Sequence, residues 1–363
     1  MLNILIPLAG KNTFRLDKDN NFPKLLTEID DKLLIQHSIA PFLSLTIDKK
    51  IIVAVPKKEA EKYQLDKVIG LLGEDISTSL INGDTKGSVC SALLAIDELD
   101  LDSPLIISSF EQVLDFDLNP YISEFLEEGV DAGVLTFDAI HPKWSYVKVT
   151  DKNNVTQAAE KLPISNNAIA GFYFYKTASL FVEAAKEMIR KDVRTNDSFF
   201  ISPTINEVIL NEGTVKAIAI DKSKYFHIND EYSLETFDIN CTKKNQSIKE
   251  KIRTRTREYI SDFNLRNIDN IACYFSTNFS LTDPNVSIVG KDGVLAYIDS
   301  LFSNSLNSAF EHKNILITDS LQSIIEFELK IDEKRFNGTD IIEWNHQLEM
   351  ESMRAYLYEV LSE

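Results

Sequence analysis

Short apolar runs alternate with longer amphipathic segments along the first 238 residues of the chain. The apolar runs resemble buried strands, and they cover residues 2–8, 50–55, 104–108, 132–137, 146–149, 171–175 and 215–220. Between them, apolar residues recur at helical spacing over residues 33–43, 87–98, 179–190 and 204–211. Strands that alternate with helices of this length predict an α/β fold with a mostly parallel sheet flanked by helices.

The pattern changes near Asp238. Residues 240–246, NCTKKNQ, are short and polar and predict a linker, which would divide the chain into domains of residues 1–240 and 247–363. Helical patterns over residues 247–262 and 290–302 are followed by long strand-like runs near residues 312–318, 321–331, 340–344 and 351–357. Helices followed by strands predict a separate α+β domain.

Composition excludes several classes of protein. A chain of 363 residues with 44% hydrophobic residues is long enough for two domains with sizeable cores. The net charge of −18 argues against a general nucleic-acid binder, because phosphate backbones need a basic footprint. The three cysteines are far apart, and no apolar run approaches ~18 residues or resembles a secretion signal. We therefore expect a soluble cytoplasmic protein without a nucleic-acid or membrane partner.

The first strand ends abruptly in a small, polar and cationic loop. Residues 9–15 read AGKNTFR, and Pro23 and Lys24 follow soon after. A glycine lets the backbone approach a ligand, its N–H groups can point at phosphate oxygens, and lysine and arginine supply positive charge. At the carboxyl end of a strand in an open α/β sheet, these features favour a phosphate site. Taken alone, the segment is equally compatible with an ordinary turn between a strand and a helix.

The order of these residues resembles the signature of sugar-1-phosphate nucleotidyltransferases, roughly A-G-x-G-[ST]-R followed by P-K-P-L. The chain departs from that signature, since Asn12 stands in place of the second glycine and Arg15 comes one place late. The resemblance implies a Rossmann-like, glycosyltransferase-A-type fold for residues 1–240. It also implies that Ala9 and Gly10 bind the nucleotide and that Arg15 and Lys24 act in catalysis.

Two later segments resemble the nucleotide and metal half of that family. Residues 85–88, TKGS, open a helical run where the family has a glycine-containing turn that packs on the base, which implies nucleotide binding by Thr85 and Gly87. A capped helix with glycine in its first turn is the alternative. Residues 108–112, SSFEQ, resemble the N-S-D-Q strand end whose aspartate holds the catalytic metal. The resemblance therefore implies Mg²⁺ on Glu111, with a solvated loop glutamate as the alternative.

The sugar-binding half of the family is matched more fully. Glu160 and Lys161 follow a strand and precede the run AGFYF, which contains Gly171. The resemblance implies that Glu160 contacts sugar hydroxyls, that Lys161 acts in catalysis on the phosphate, and that Gly171 lets the sugar approach. Near the end of the domain, His227 stands where many members have a second metal-binding aspartate. Because Mg²⁺ prefers oxygen ligands, we expect His227 to pack or hydrogen-bond rather than bind metal.

The C-terminal third resembles the SnoaL-like branch of the nuclear-transport-factor-2-like superfamily. The residues that carry the resemblance include 279–284, FSLTDP, and 336–345, FNGTDIIEWN. It implies an α+β cone that often forms dimers through its sheet, and a pocket that Asp283 and Trp344 could line. A turn role for Asp283 and a core role for Trp344 are the alternatives. Residues 321–329 carry apolar groups on both sides of the alternation, so we expect a homo-oligomer held by this domain.

Together these segments predict a nucleotidyltransferase that joins a nucleoside triphosphate to a sugar 1-phosphate or similar acceptor and releases pyrophosphate. The resemblance places such a reaction in nucleotide-sugar and surface polysaccharide biosynthesis, with Mg²⁺ as cofactor. Lysine, arginine and a divalent metal would neutralise the charge that develops on phosphate oxygens. Two alternatives stay open: a catalytically degenerate binding or scaffold protein, and an isomerase-type step in the C-terminal domain.

Overall fold

The computed structural model describes residues 1–8, 14 and 22–360. The chain divides into two compact units, Met1–Asp238 and Ile239–Glu363. Ala9, Gly10 and Arg15, which the sequence assigns to the nucleotide loop, lie outside the described residues. Within the described ranges, no helix is both long and apolar enough to cross a bilayer.

The first unit contains thirteen strands among its described residues: β1 Leu2–Pro7, β2 Glu28–Ile29, β3 Lys32–Leu33, β4 Lys49–Pro56, β5 Ile76–Ile81, β6 Leu105–Ser108, β7 Gln112–Leu114, β8 Ala132–Asp138, β9 Tyr146–Val149, β10 Val155–Ala159, β11 Asn167–Tyr175, β12 Val215–Ala219 and β13 Tyr225–His227. Its helices are α1 Leu34–Leu43, α2 Lys57–Tyr63, α3 Leu65–Gly70, α4 Ser88–Leu93, α5 Asn119–Glu127, α6 Ala178–Arg190 and α7 Thr204–Leu210. Short 3₁₀ turns cover Lys24–Leu26, Ile96–Glu98 and Lys222–Lys224.

The main sheet of this unit has nine strands and is mixed. Strands β5, β4, β1 and β6 are adjacent and parallel, and β12 runs parallel to β8. Strand β11 lies between β6 and β8 and is antiparallel to both, and the β9–β10 hairpin joins its edge. The prediction of a mostly parallel sheet thus does not include the antiparallel direction of β11. That strand is reached through the hairpin rather than through a helix, and antiparallel strands need no helical crossover.

The sheet is covered on both faces, which explains its continuous apolar runs. Along β1, Ile4 and Ile6 pack into one buried cluster with α1 and α5, whereas Leu5 packs into a second cluster with α4 and α6. Strands buried on both faces show no alternation of polar and apolar residues. Because β1, β6 and β8 run in the same direction, their carboxyl ends lie at the same edge of this buried sheet.

Helix α8, Glu231–Asn264, carries the chain from the first unit into the second. Residues 240–246, expected to be a linker before a helix that begins at residue 247, are themselves helical and belong to α8. The segment contains no glycine or proline, and its lysines and glutamine are good helix formers. At the start of the helix, the Ser233 backbone N–H donates to Asp230 Oδ1 at 2.8 Å. A polar run that is mostly exposed is therefore a solvated helix surface here rather than a loop.

The second unit is built around a six-stranded sheet in the order β15-β14-β19-β18-β17-β16. Its strands are β14 Phe275–Thr282, β15 Ser287–Val289, β16 Ser308–Ile317, β17 Gln322–Ile331, β18 Lys334–Trp344 and β19 Met350–Glu359, and its further helices are α9 Ile268–Ala272 and α10 Lys291–Ser303. One sheet face packs against α8 and α10 through residues such as Tyr259, Phe302 and Ile325. The α+β prediction for this region agrees with a separate, sheet-rich unit.

The sequence predicts apolar residues on both faces of β17, but the residues on its uncovered face are mostly polar. Ser323, Ile325 and Phe327 are buried, whereas Glu326 and its alternating neighbours lie on the other face, with Ile324 half-buried among them. Trp344 is in the core, where its Nε1–H donates to Ser323 Oγ at 2.9 Å. These positions follow the two-residue period of a strand with one covered face.

A buried carboxyl group stands out in the second core. Asp340 on β18 is 5% exposed, and its Oδ1 atom has no hydrogen-bond partner among the described residues. Burial, and then the charge of Asp283, raise the pKa of Asp340 to about 8. Tyr259, also buried, is a second titratable group that interacts electrostatically with Asp340. The carboxyl is therefore protonated near neutral pH in the folded protein and ionised in the unfolded chain.

Asp340→Asn is expected to stabilise the protein at neutral and alkaline pH. Folding of the parent takes up a proton between the ordinary aspartate pKa and about 8, so its stability should fall as pH rises through that window. The neutral amide removes this dependence, and we expect a gain of about 2–4 kcal/mol near pH 8 with little change near pH 4. Calorimetry across pH tests this, with Asp299→Asn on the exposed side of α10 as control. Equal pH dependence in parent and Asp340→Asn would contradict the assignment.

Candidate active site

Five polar residues gather at the sheet edge where the strands of the first unit end; we call them the Lys24 cluster: Lys24, Glu111, Lys143, His227 and Asp230. Lys24 begins a 3₁₀ turn, Glu111 follows β6, and Lys143 lies between β8 and β9. His227 ends β13, which pairs with β7, and the Ile228 backbone N–H donates to the Glu111 carbonyl at 2.8 Å. Segments far apart in the sequence thus meet at one place.

The members of the Lys24 cluster lie close enough to interact electrostatically. Burial raises the pKa of the half-buried Glu111 carboxyl, and the Lys24 ammonium opposes that shift. Burial, then Lys143 and Lys24, lower the pKa of His227 to about 4, while Asp230 opposes the shift. His227 is therefore a neutral imidazole near pH 7. The Lys24 cluster thus brings two lysine ammonium groups together with the carboxyl groups of Glu111 and Asp230 and a neutral histidine, on a chain whose net charge is −18.

Aromatic packing fixes His227 and Lys143. The His227 ring meets the Trp144 ring edge-on, with centroids 4.7 Å apart. The Lys143 ammonium lies 4.5 Å from the Trp144 ring centroid. His227 is thus a packed residue with a polar edge, in line with its poor chemistry as a Mg²⁺ ligand.

Among the described residues, no group of three or more histidine, cysteine, aspartate or glutamate side chains is arranged to hold a metal ion. Mg²⁺ in substrate sites commonly takes only one or two protein carboxylates and completes its shell with phosphates and water. The carboxylate of Glu111 fits that limited role. Within the part of the chain that the structure describes, the side chains alone do not form a closed metal site.

Glu160 and Lys161 form a second group of charged residues, and two serine hydroxyls hold Glu160 in place. Glu160 Oε2 accepts hydrogen bonds from Ser145 Oγ and from Ser202 Oγ, the latter at 2.6 Å. The buried ring of Tyr173 carries its hydroxyl beside Ser145 and Glu160. Lys161, with φ of +56°, places its ammonium 4.5 Å from the Phe200 ring centroid. We refer to these charged neighbours as the Glu160 pair.

Gly171 marks a close approach of backbones. At its φ of +58°, a Cβ atom would lie 2.3 Å from Gln112 Oε1. The Gly171 carbonyl accepts from the Ser109 backbone N–H at 3.0 Å and from Gln112 Nε2 at 3.1 Å. Only glycine combines this conformation with this contact. Strand β11 is therefore held against the loop that carries Glu111.

Gly87 marks a second close approach. It has φ of +117°, and a Cβ atom there would lie 2.3 Å from the Phe199 carbonyl oxygen. The Phe199 backbone N–H donates to the Lys86 carbonyl at 2.8 Å, and Thr85 Oγ1 hydrogen-bonds Ser91 Oγ at 2.7 Å. Gly87 is the N-cap residue of α4, and its contact with the Phe199 backbone leaves no room for a side chain.

Two neighbouring buried tyrosines lie between the Lys24 cluster and the Glu160 pair. Tyr173 is in electrostatic contact with Glu160 and with Tyr225, and Tyr225 is in contact with Glu111. The sequence-predicted Lys24 and Glu111 thus belong to one group, and Glu160 and Lys161 to another nearby. Convergence of Lys24 and Lys161 on one phosphate stays a prediction.

Sequence reasoning missed several residues that complete these groups, above all Lys143, Ser145 and Ser202. Lys143 and Ser145 follow the carboxyl end of β8, which is where a ligand-binding loop is expected in such a sheet. Their position after a predicted strand could therefore have identified Lys143 and Ser145 as candidate site residues. Ser202 gives no comparable signal, because its contact with Glu160 joins residues 42 positions apart.

Comparisons with known proteins support the fold of the first unit. No protein-family model matches the chain. Over 225 residues it is 25% identical to the UTP–glucose-1-phosphate uridylyltransferase AglF of Haloferax volcanii, covering 61% of this chain and 88% of that protein. The structure is similar to a nucleoside-diphosphate-sugar pyrophosphorylase from Vibrio cholerae, with TM-score 0.57, 20% identity, and coverage of 64% of this chain and 98% of that one. It is also similar to a UDP-glucose pyrophosphorylase complexed with UDP-glucose, with TM-score 0.53, 16% identity, and coverage of 67% and 98%.

These similarities confirm the expected fold class: the chain contains the mixed α/β fold of sugar nucleotidyltransferases. The covered share, about two thirds of the chain, is also the share that the first unit occupies. The SnoaL-like character of the second unit stays a prediction.

Gly171→Ala is expected to destabilise the protein more than Gly129→Ala does. Both glycines have positive φ, +58° and +63°, but a Cβ at Gly129 meets nothing within 4 Å. The clash with Gln112 should disturb buried hydrogen bonds and lower the free energy of unfolding by about 2 kcal/mol more. Calorimetry of the two variants measures the difference. Equal losses would show that the contact with Gln112 is not a packing constraint.

Proposed function

We propose that the first unit transfers a nucleoside monophosphate from a nucleoside triphosphate to a phosphorylated sugar and releases pyrophosphate. The observation that carries the proposal is the Glu160 pair, a held carboxylate beside a lysine, next to the Lys24 cluster at the ligand-binding edge of the sheet. The nucleotidyltransferase fold adds support, since the relatives with this fold are named for that reaction.

The chemistry needs positioning and charge neutralisation more than covalent help from the protein. A phosphate oxygen of the acceptor attacks the α-phosphorus, and the bond to the leaving pyrophosphate breaks. Lys24, Lys143 and Lys161 would neutralise phosphate charge, and Glu160 would accept a hydrogen bond from a sugar hydroxyl. Mg²⁺ held at Glu111 would supply additional positive charge to the phosphates.

The finer assignments are part of the same proposal. Uridylyl transfer to glucose 1-phosphate is the reaction in the name of the Haloferax volcanii relative, so UTP and glucose 1-phosphate are the first substrates to test, followed by dTTP. Sugar activation of this kind would take place in the cytoplasm and supply nucleotide sugars for surface polysaccharides.

A second candidate is a protein that binds these ligands without turnover. The observation that favours it is the composition of the Lys24 cluster, in which a lysine lies beside Glu111 and a neutral histidine ends β13. Such a site attracts phosphates but offers a metal few oxygen ligands. Turnover separates the two candidates, because both bind and only one releases pyrophosphate.

For the second unit we propose a SnoaL-like cone that forms homodimers through the uncovered face of its sheet. Tyr356 and Tyr358, which alternate with core-facing residues of β19, are 58% and 65% exposed. Half-buried Ile324 and Ile341 are paired neighbours on the same face. Large apolar and aromatic groups clustered on one face favour burial against a partner.

Pyrophosphate release should require Mg²⁺ and Glu111. Glu111→Ala removes the proposed metal ligand and is expected to lower kcat by about 10²-fold or more, with little effect on the melting temperature. The assay screens nucleoside triphosphates against sugar 1-phosphates, and Glu127→Ala on the exposed side of α5 is the matched control. Turnover without divalent metal, or full activity of Glu111→Ala, would contradict the metal role.

The full-length protein is expected to be a dimer or a higher even oligomer. Replacing Tyr356 and Tyr358 by lysine should give a monomer, because the introduced charges would be buried at the interface. Light scattering measures the mass, and Leu306→Lys, at an 88% exposed position of the same unit, is the control. A monomeric parent, or a dimeric double variant, would refute the proposed interface.

A further inference from the structure

The segment 199–202 contacts both halves of the proposed site. It follows α6 and leads directly into α7, and Phe199, Ile201 and Ser202 are 4%, 6% and 0% exposed. The Ile201 carbonyl accepts from Thr204 Oγ1 at 2.7 Å, and that hydroxyl also hydrogen-bonds the buried Tyr175 hydroxyl at 2.6 Å. The segment is therefore anchored to strand β11.

On the acceptor side, the segment holds both members of the Glu160 pair. Ser202 Oγ donates to Glu160 Oε2 at 2.6 Å, and the Phe200 ring lies under the Lys161 ammonium. The next helix adds a third contact, since Asn206 hydrogen-bonds the Ala158 backbone N–H and carbonyl at 2.8 and 2.9 Å. Residues 200–206 thus hold the end of β10 and the Glu160 pair that follows it.

On the nucleotide side, the same segment closes on the Gly87 turn. The Phe199 backbone accepts from the Val89 N–H at 3.2 Å and donates to the Lys86 carbonyl at 2.8 Å. The Cβ position of Gly87 falls 2.3 Å from the Phe199 carbonyl oxygen. The Arg194 guanidinium covers the Phe199 ring at 4.8 Å. Backbone atoms cannot yield as the tip of a flexible side chain can.

We infer that residues 199–202 form a positioning bridge that aligns the Glu160 pair with the Gly87 turn. The inference rests on the proposed function, in which the Glu160 pair holds the acceptor, and on the sequence-based prediction that Thr85 and Gly87 bind the nucleotide. Transfer between two bound ligands requires that their reacting atoms meet in a near-attack geometry, and small displacements there reduce rate strongly. One buried segment that touches both places fixes that geometry. Phe199, Phe200 and Ser202 are positioning residues in this assignment, because they act through the Gly87 turn, Lys161 and Glu160.

Hydrogen–deuterium exchange tests the bridge without any substrate. Gly87→Ala should push the Phe199 backbone and raise deuterium uptake in the peptide over residues 156–162, which does not include the mutated turn. Gly83→Ala is the matched control, because Gly83 also has positive φ, +79°, but open space at its Cβ position. Raised uptake with Gly87→Ala alone supports the bridge. Uptake that changes near residue 87 and not in residues 156–162 overturns it.

Kinetics tests the acceptor side with a variant that leaves the Gly87 turn intact. Ser202→Ala removes one of two hydroxyl donors to Glu160, and we expect KM for the sugar 1-phosphate to rise about tenfold while KM for the nucleoside triphosphate is unchanged. Ser79→Ala, a buried serine of β5, should change neither. Equal effects of Ser202→Ala on both KM values would indicate general loss of structure and would count against the bridge.

The two tests separate the bridge from the function. If no nucleoside triphosphate and acceptor pair yields pyrophosphate, the proposed reaction fails, and the exchange experiment still decides whether the bridge couples residues 87 and 160. If pyrophosphate is released but the exchange and the KM values behave as in the control variants, the reaction stands and the bridge is wrong.

Discussion

The reversed strand β11 is the constraint on which the first unit depends. Because it runs antiparallel between β6 and β8, its amino-terminal half lies at the edge where those strands end. That placement brings Gly171 against the Glu111 loop and Tyr173 against Glu160. Had β11 been reached through a helical crossover, its polar beginning would lie at the opposite edge.

Local charge and global charge differ sharply in this protein. The chain as a whole is acidic, yet Lys24 and Lys143 act together on His227 and Asp230 at the sheet edge. An acidic exterior repels polyanions such as nucleic acids, whereas the two lysines at this edge would supply positive charge to the phosphorylated ligands proposed above. Burial also keeps His227 neutral there, so its ring adds no further positive charge.

Sequence patterns predicted the fold class and most strands of the first unit, because strands buried on both faces leave continuous apolar runs. The same patterns failed where the determining contact is distant. The reversed direction of β11 depends on pairing with strands far away in the chain, and the helical state of residues 240–246 depends on a start at Asp230.

For the candidate site, Glu160 and Lys161 could be singled out by resemblance. Their partners Ser202 and Phe200 could not, because hydrogen bonds and ring contacts across some forty residues leave no local pattern.

At Lys161, the stability of the folded protein and the proposed role of the side chain favour different residues. Its φ of +56° is a left-handed conformation that disfavours side chains with a Cβ atom, and glycine would adopt it with less strain. A search for stabilising substitutions would therefore select glycine at this position and delete the ammonium group above Phe200. Selection for heat resistance alone would thus remove the cation from the proposed acceptor side of the site.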